Sequence, residues 1–128
     1  MTLSAKPFGE HWIIDYFAMV DNLDPAELVG WYTDDATFRF ANQPPAQGKA
    51  AIIAALNQFY GLIISMRHEK TACWADAASG AFEAIAHFST KDGHTLALPA
   101  VSTLRVRGGL VHSFLFVMDA TPIMQAAR

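Results

Sequence analysis

Cysteine is almost absent: Cys73 is the single thiol among 128 residues. One thiol forms no internal bridge, no CxxC pair and no thiolate cage. This removes disulfide scaffolds and most zinc modules together, and it agrees with a reducing, cytoplasmic setting. Charge is sparse too, with 16% Asp, Glu, Lys and Arg and a net charge of −3. The Lys and Arg residues are scattered without a basic run, which argues against a nucleic-acid backbone as partner. No apolar run approaches the ~20 residues of a membrane span. The stretch from Met1 to Pro7 lacks the cationic start and apolar core of a secretory signal. Also missing are a GxSxG elbow, a P-loop, a dinucleotide-binding glycine fingerprint and an HExxH pair, so any catalysis is expected to be acid/base work without cofactor or metal.

What the chain does have is apolar content. A hydrophobic share of 52% over this length fits one compact domain spanning residues 1–128, large enough to bury a core unaided. From Glu10 to Asn22, Trp12, Ile13, Tyr16, Phe17 and Val20 recur at helical spacing, predicting an amphipathic helix. Asp24-Pro25-Ala26-Glu27 reads as a capped start to a short second helix that Thr33-Asp34-Asp35 stops. Alternation over Ala36 to Phe40 predicts a first strand, and the proline-rich stretch from Ala41 to Gly48 a loop. A third helix starts near Lys49 and uses Ile52, Ile53, Leu56, Phe59, Tyr60 and Ile63 as its apolar face. Four strands follow, about His68 to Ala75, Ala81 to Ser89, Thr95 to Arg107 and Leu110 to Asp119, with links too short for a crossover helix. Helices first and an antiparallel meander after them make an α+β fold with the helices on one face of a curved sheet.

Alternation along these strands points Phe82, Ala84, Ala86 and Phe88, then Ala100, Ser102 and Leu104, then Phe114, Phe116 and Met118 toward the helices. Small residues in the middle of such a face either leave a cavity walled by aromatics or let the helices pack closely over alanine. Both readings stay open. Pro99 inside its strand predicts an edge or a bulge, and a bulge would reverse the facing of Ser102. Val111, Leu115 and Val117 make the last strand apolar on its other side as well. A second copy of the chain is therefore expected over the outer face, with Glu83, His87 and His112 near that contact.

Several segments carry a family likeness: Tyr32-Thr33-Asp34-Asp35-Ala36-Thr37-Phe38, Pro44-Pro45-Ala46-Gln47-Gly48-Lys49-Ala50-Ala51-Ile52, Met66-Arg67-His68-Glu69, and Gly108-Gly109-Leu110-Val111 leading to Met118-Asp119-Ala120-Thr121-Pro122. In order and spacing the chain resembles the nuclear-transport-factor-2-like superfamily, and its SnoaL-like branch most. The resemblance implies a cone-shaped α+β half-barrel, three N-terminal helices on a curved, mainly antiparallel sheet, often dimeric, whose mouth holds a small hydrophobic molecule. Members include ketosteroid isomerases, scytalone dehydratases, limonene epoxide hydrolases, polyketide cyclases and many non-enzymes, so fold alone does not assign function.

Carried over residue by residue, the likeness makes Tyr16 a hydrogen-bond donor to a substrate oxygen, as in the ketosteroid isomerases. Phe40 stands where their catalytic carboxylate would be, and Ser102 near their protonated Asp, so a steroid-type proton shuttle is not implied. Phe40-Ala41-Asn42 is similar to the Tyr-x-Asn of the epoxide hydrolases with the phenol hydroxyl lost; Asn42 either orients water or forms the turn before two prolines. His68 matches a catalytic histidine of scytalone dehydratase, against a plain strand-start histidine. Asp119 matches the base of SnoaL-like cyclases, against a cap for the Thr121-Pro122 turn. The expected catalytic set is Tyr16, His68 and Asp119. The expected walls are Trp12, Trp31, Phe38, Phe40, Asn42, Phe59, Phe82, Ala84, Ala100, Ser102, Phe114, Phe116 and Met118. The expected activity is isomerisation, cyclisation, dehydration or hydration of a small hydrophobic substrate. The rival readings are a ligand-binding module without turnover and a pure dimerisation element.

Overall fold

The computed structural model describes residues 6–126. Helix α1 (Glu10–Val20) buries Trp12, Ile13, Tyr16, Phe17 and Val20, the face that the helical spacing selects. Helix α2 (Pro25–Leu28) starts at Asp24, whose Oδ1 accepts the Glu27 N–H at 3.2 Å, with Pro25 in the first turn. A 3-10 turn over Val29–Trp31 leads into β1 (Tyr32–Phe40). Then come the two-residue β2 (Ala46–Gln47), α3 (Lys49–Tyr60), β3 (Ile63–Ala75), β4 (Ser79–Thr90), β5 (Thr95–Arg107), β6 (Leu110–Val117) and a short α4 (Thr121–Ala126).

The six strands form one curved open sheet in the order β2-β1-β6-β5-β4-β3. All its pairings are antiparallel except the parallel one between β1 and β6. Helix α1 lies on β3 and β4, and α3 lies over β1, so the helices cover one concave face. This is the α+β cone that the sequence predicts.

Four local expectations need correction. Thr33-Asp34-Asp35 does not end a helix but lies inside β1, because β1 advances from Tyr32 to Thr37 while β6 advances only from Val111 to Ser113. The extra residues bulge out and leave Asp34 and Asp35 exposed. Helix α3 stops at Tyr60 with Gly61 as its cap, and Ile63 opens β3 well before His68. Pro99 makes no bulge: it pairs with Ile85 on β4, while β6 joins β5 only from Val101, so the missing N–H falls on an open stretch of strand. Ser102 therefore faces inward and is buried. Val111, expected on the outer face, is fully buried, since Val106 pairs with Val111 and Arg105 with Ser113. His112 is thus an inserted residue that reverses the facing.

The buried residues form one core. Its centre is aromatic: Phe17 stacks on Phe82 at 4.1 Å, Phe38 stacks on Phe114 at 5.4 Å, and Trp12 lies parallel to Tyr16 at 5.7 Å. Each such side chain contributes about 1.5–3 kcal/mol by leaving water, and favourable ring geometry adds about 0.5–1.5 kcal/mol. Over Gly80, α1 approaches so closely that a Cβ there would meet Ile13 Cδ1 at 2.5 Å and the Trp74 carbonyl at 3.0 Å. The small residues Ala84, Ala86, Ala100 and Ser102 are packed over rather than hollow, so of the two open readings close packing holds at that end of the cone.

Candidate functional site

The cavity lies toward the other end, between α3 and the aromatic faces of β1 and β6. Its volume is about 540 Å³, within the range of small-molecule sites. Phe38, Phe40, Phe114 and Phe116 form the sheet wall, Leu56, Phe59 and Tyr60 the α3 wall, and Tyr16, Phe17 and Val20 the α1 wall, with His68 and Met66 contributed by β3. Gln43, Pro44, Gln58, Ala120 and Met124 line it from the β1–β2 loop, α3 and the C-terminal segment. Among the described residues, no Lys, Arg, Asp or Glu side chain lines it.

His68 is the one imidazole in this wall, and its side chain is only 3% exposed. Asp21, the first residue after α1, grips it twice. Oδ1 lies 2.7 Å from the ring Nδ1, and Oδ2 accepts the His68 backbone N–H at 2.9 Å. An ionised carboxylate only accepts, so the ring proton of neutral His68 sits on Nδ1 and Nε2 carries the lone pair. Nε2 is buried and has no hydrogen-bond partner among the described residues. A buried polar atom left open in an apolar cavity wall costs about 1–3 kcal/mol unless something binds it. The Phe17 ring at 4.9 Å and the Phe116 ring at 6.2 Å hold the imidazole from two sides.

Tyr16 is fully buried, and its hydroxyl lies 2.5 Å from that of Tyr32, also fully buried. Burial first, and then the neighbouring Tyr32, push the Tyr16 hydroxyl well above the ordinary phenol range. Burial also raises Tyr32, partly offset by its bond to Tyr16. Both phenols therefore stay protonated at neutral pH and act as donors. Only Tyr16 of the two lines the cavity, and either hydroxyl can donate in the bond between them. Tyr60 donates to the Val20 carbonyl at 3.3 Å, and burial followed by the Asp21 charge raises its hydroxyl as well.

Of the residues singled out in the sequence, the structure brings together Tyr16, His68, Phe38, Phe40, Phe59, Phe114 and Phe116. Trp12, Trp31, Phe82, Ala84, Ala100, Ser102 and Met118 are buried in the core outside the cavity wall. Asn42 is exposed in the turn after β1. Asp119 is exposed at the end of β6, where its Oδ1 accepts the Thr121 N–H at 3.0 Å and caps α4. Asp21, Tyr32 and Tyr60 are the site residues that the sequence did not announce. The usable signal for Asp21 was a carboxylate directly after an amphipathic helix whose end faces a histidine-bearing strand. Among the described residues, no group of three or more His, Cys, Asp and Glu is placed to hold a metal ion, and no helix is long and apolar enough to cross a membrane.

The model of the SnoaL-like domain matches residues 13–114. Among curated proteins, no sequence match is found. Solved structures share the fold closely. A protein with a ketosteroid isomerase-like fold from Catenulispora acidiphila, in complex with trimethylamine, superposes with a TM-score of 0.78 at 17% identity over 90% of each chain. A candidate polyketide cyclase from Xanthomonas campestris superposes with a TM-score of 0.79 at 14% identity, covering 91% of this chain and 93% of its own. A candidate SnoaL-like polyketide cyclase from Shewanella denitrificans gives 0.76 at 15% identity, over 89% and 92%. At these identities the likeness is one of fold.

Proposed function

Since the chain belongs to the SnoaL-like domain family, a fold that carries enzymes and binding proteins alike, we propose from its own cavity that it catalyses a proton transfer on a small hydrophobic substrate. The observation that carries this reading is that buried His68, clamped from behind by Asp21 and with its Nε2 unpaired among the described residues, lines the same cavity as Tyr16. Tyr16, backed by Tyr32, donates to a substrate oxygen. His68 Nε2 takes a proton from the adjacent carbon, and the Asp21 carboxylate stabilises the imidazolium that forms. Returning that proton to a second carbon isomerises the substrate; returning it to a departing hydroxyl dehydrates it. Asp119 takes no step in this scheme, because its carboxylate caps α4 outside the wall.

Native mass spectrometry of the purified protein, followed by incubation of any retained molecule, tests the reading. A chemically altered product is expected. His68→Gln should slow its formation about 10²–10⁴-fold and Tyr16→Phe about 10²-fold. A ligand retained unchanged by wild type and by both variants would make the protein a binding module without turnover.

We propose further that a second copy covers the outer sheet face. Cross-strand neighbours Ile85 and Pro99, Val101 and Val117, and Thr103 and Leu115 form an apolar band there, with Val101 40% and Val117 48% exposed. The same spectra report subunit number, and Val117→Glu should shift a dimer to monomer.

A further inference from the structure

The cavity has a sign as well as a shape. Among the described residues, the wall holds no Lys or Arg to balance a carboxylate or phosphate on the ligand. The Asp21 carboxylate stands behind the His68 ring, with a side chain 20% exposed, while the exposed Arg39 guanidinium donates to the backbone carbonyl of the wall residue Gln43 at 3.0 Å. The field of Asp21 reaches the wall, since it helps to raise the Tyr60 hydroxyl. Helices α1 and α3 both end at the cavity: Val20, the last residue of α1, and Phe59 and Tyr60, the last two of α3, all line it. A helix C-terminus carries roughly half a negative charge, so two of them add to the carboxylate. Aromatic rings share the remaining surface with aliphatic side chains such as Leu56 and Met66. Phe40 lies 5.1 Å from Phe116 at 67° and 5.2 Å from Phe59 at 40°, so the rings present inclined, electron-rich faces rather than one flat stack.

The carboxylate, the helix ends and the ring faces all favour positive charge, and the Arg39 guanidinium near the wall is exposed and already bound to a carbonyl. We propose that the ligand of this cavity is a hydrophobic amine bound as its ammonium ion, the charge lying over the Phe40, Phe59 and Phe116 rings while the rest of the molecule reaches Tyr16 and His68. Burying an ammonium costs several kcal/mol of hydration, which the ring faces, Asp21 and the helix ends must offset together. The exposed amides of Gln43 and Gln58 also line the cavity, and their carbonyl oxygens are suited to receive the ammonium N–H groups. This inference rests on the reading of the cavity as the substrate site and adds the charge class of what enters it.

Three probes of one skeleton separate the cases: cyclohexylmethylamine, cyclohexylmethanol and cyclohexanecarboxylate, titrated calorimetrically at about pH 8, where the amine is an ammonium and the acid a carboxylate. The amine is expected to bind about tenfold more tightly than the alcohol, and the carboxylate more weakly than either. Asp21→Asn should remove most of the amine's advantage over the alcohol, read as the ratio of the two affinities in one variant. Phe59→Leu, which leaves the Asp21 to His68 contact alone, should narrow the same gap through the ring term. An alcohol that binds as tightly as the amine overturns the charge inference and leaves the cavity reading standing. If no probe perturbs the His68 imidazole signals in nuclear magnetic resonance, both fall together.

Discussion

Asp21 touches no ligand in the proposed scheme, yet it decides which nitrogen of His68 carries the proton. Asp21→Asn keeps the size and loses the charge, so turnover should fall about 10²–10⁴-fold, as when a triad aspartate is replaced. A purely structural role would leave the ring tautomer alone. Nitrogen chemical shifts of His68 should therefore report an unprotonated Nε2 in the wild type and a mixture in the variant; an unchanged tautomer would remove Asp21 from the scheme. Tyr32→Phe is expected to weaken the donor at Tyr16 without abolishing it, giving a smaller loss of rate than Tyr16→Phe. It should also cost about 1 kcal/mol of stability through the missing hydroxyl partner, measurable by denaturant unfolding. Tyr16 was legible in the sequence because it falls on the apolar stripe of α1, and His68 because its place in the chain resembles that of a histidine in the scytalone dehydratases. Asp21 was not, because its meeting with His68 joins the end of one element to the middle of another, and neither composition nor spacing records that distance.

Among the elements, the expectations that held were those with a strong period: the α1 face, the α3 start and the three hairpins, one of them turning at Gly93 with φ 91°. Those that failed depended on what a neighbouring strand does. Asp34 and Asp35 read as a stop because strand propensity disfavours them, but a bulge against β6 carries both to the surface. The insertion at His112 is equally silent in the sequence, since apolar residues on both of its sides fit either parity. Close packing of α1 on the sheet hinges on Gly80. Gly80→Ala should destabilise the protein by about 1–3 kcal/mol, because Ile13 and the Trp74 carbonyl already occupy the space a methyl would take. A shift in the denaturant midpoint at unchanged slope would register it.

Taken as a whole, the molecule carries its carboxylates in a state that opposes acid. Arg107 holds Asp35 below the usual carboxylate range, His87 does so for Glu69, the Ala78 N–H for Asp76, Thr90 for Asp92 and Thr121 for Asp119. Each is lowered on folding, so its contribution is complete above the unfolded value of about 4 and is lost as pH falls through the folded value. Stability from these groups should be flat between about pH 5 and 7 and decline below about pH 4, and denaturant unfolding across that window would show it. All five are exposed, so the decline is a sum of small screened effects. The pairing of β1 with β6 has a consequence for how the protein comes into being. A ribosome releases Phe38 early and Phe114, its stacking partner, only near the close of translation. Until then the sheet wall of the chamber lacks half of its rings, so the cavity is among the last parts of the molecule to form, and a message cut short before β6 yields a chain without it.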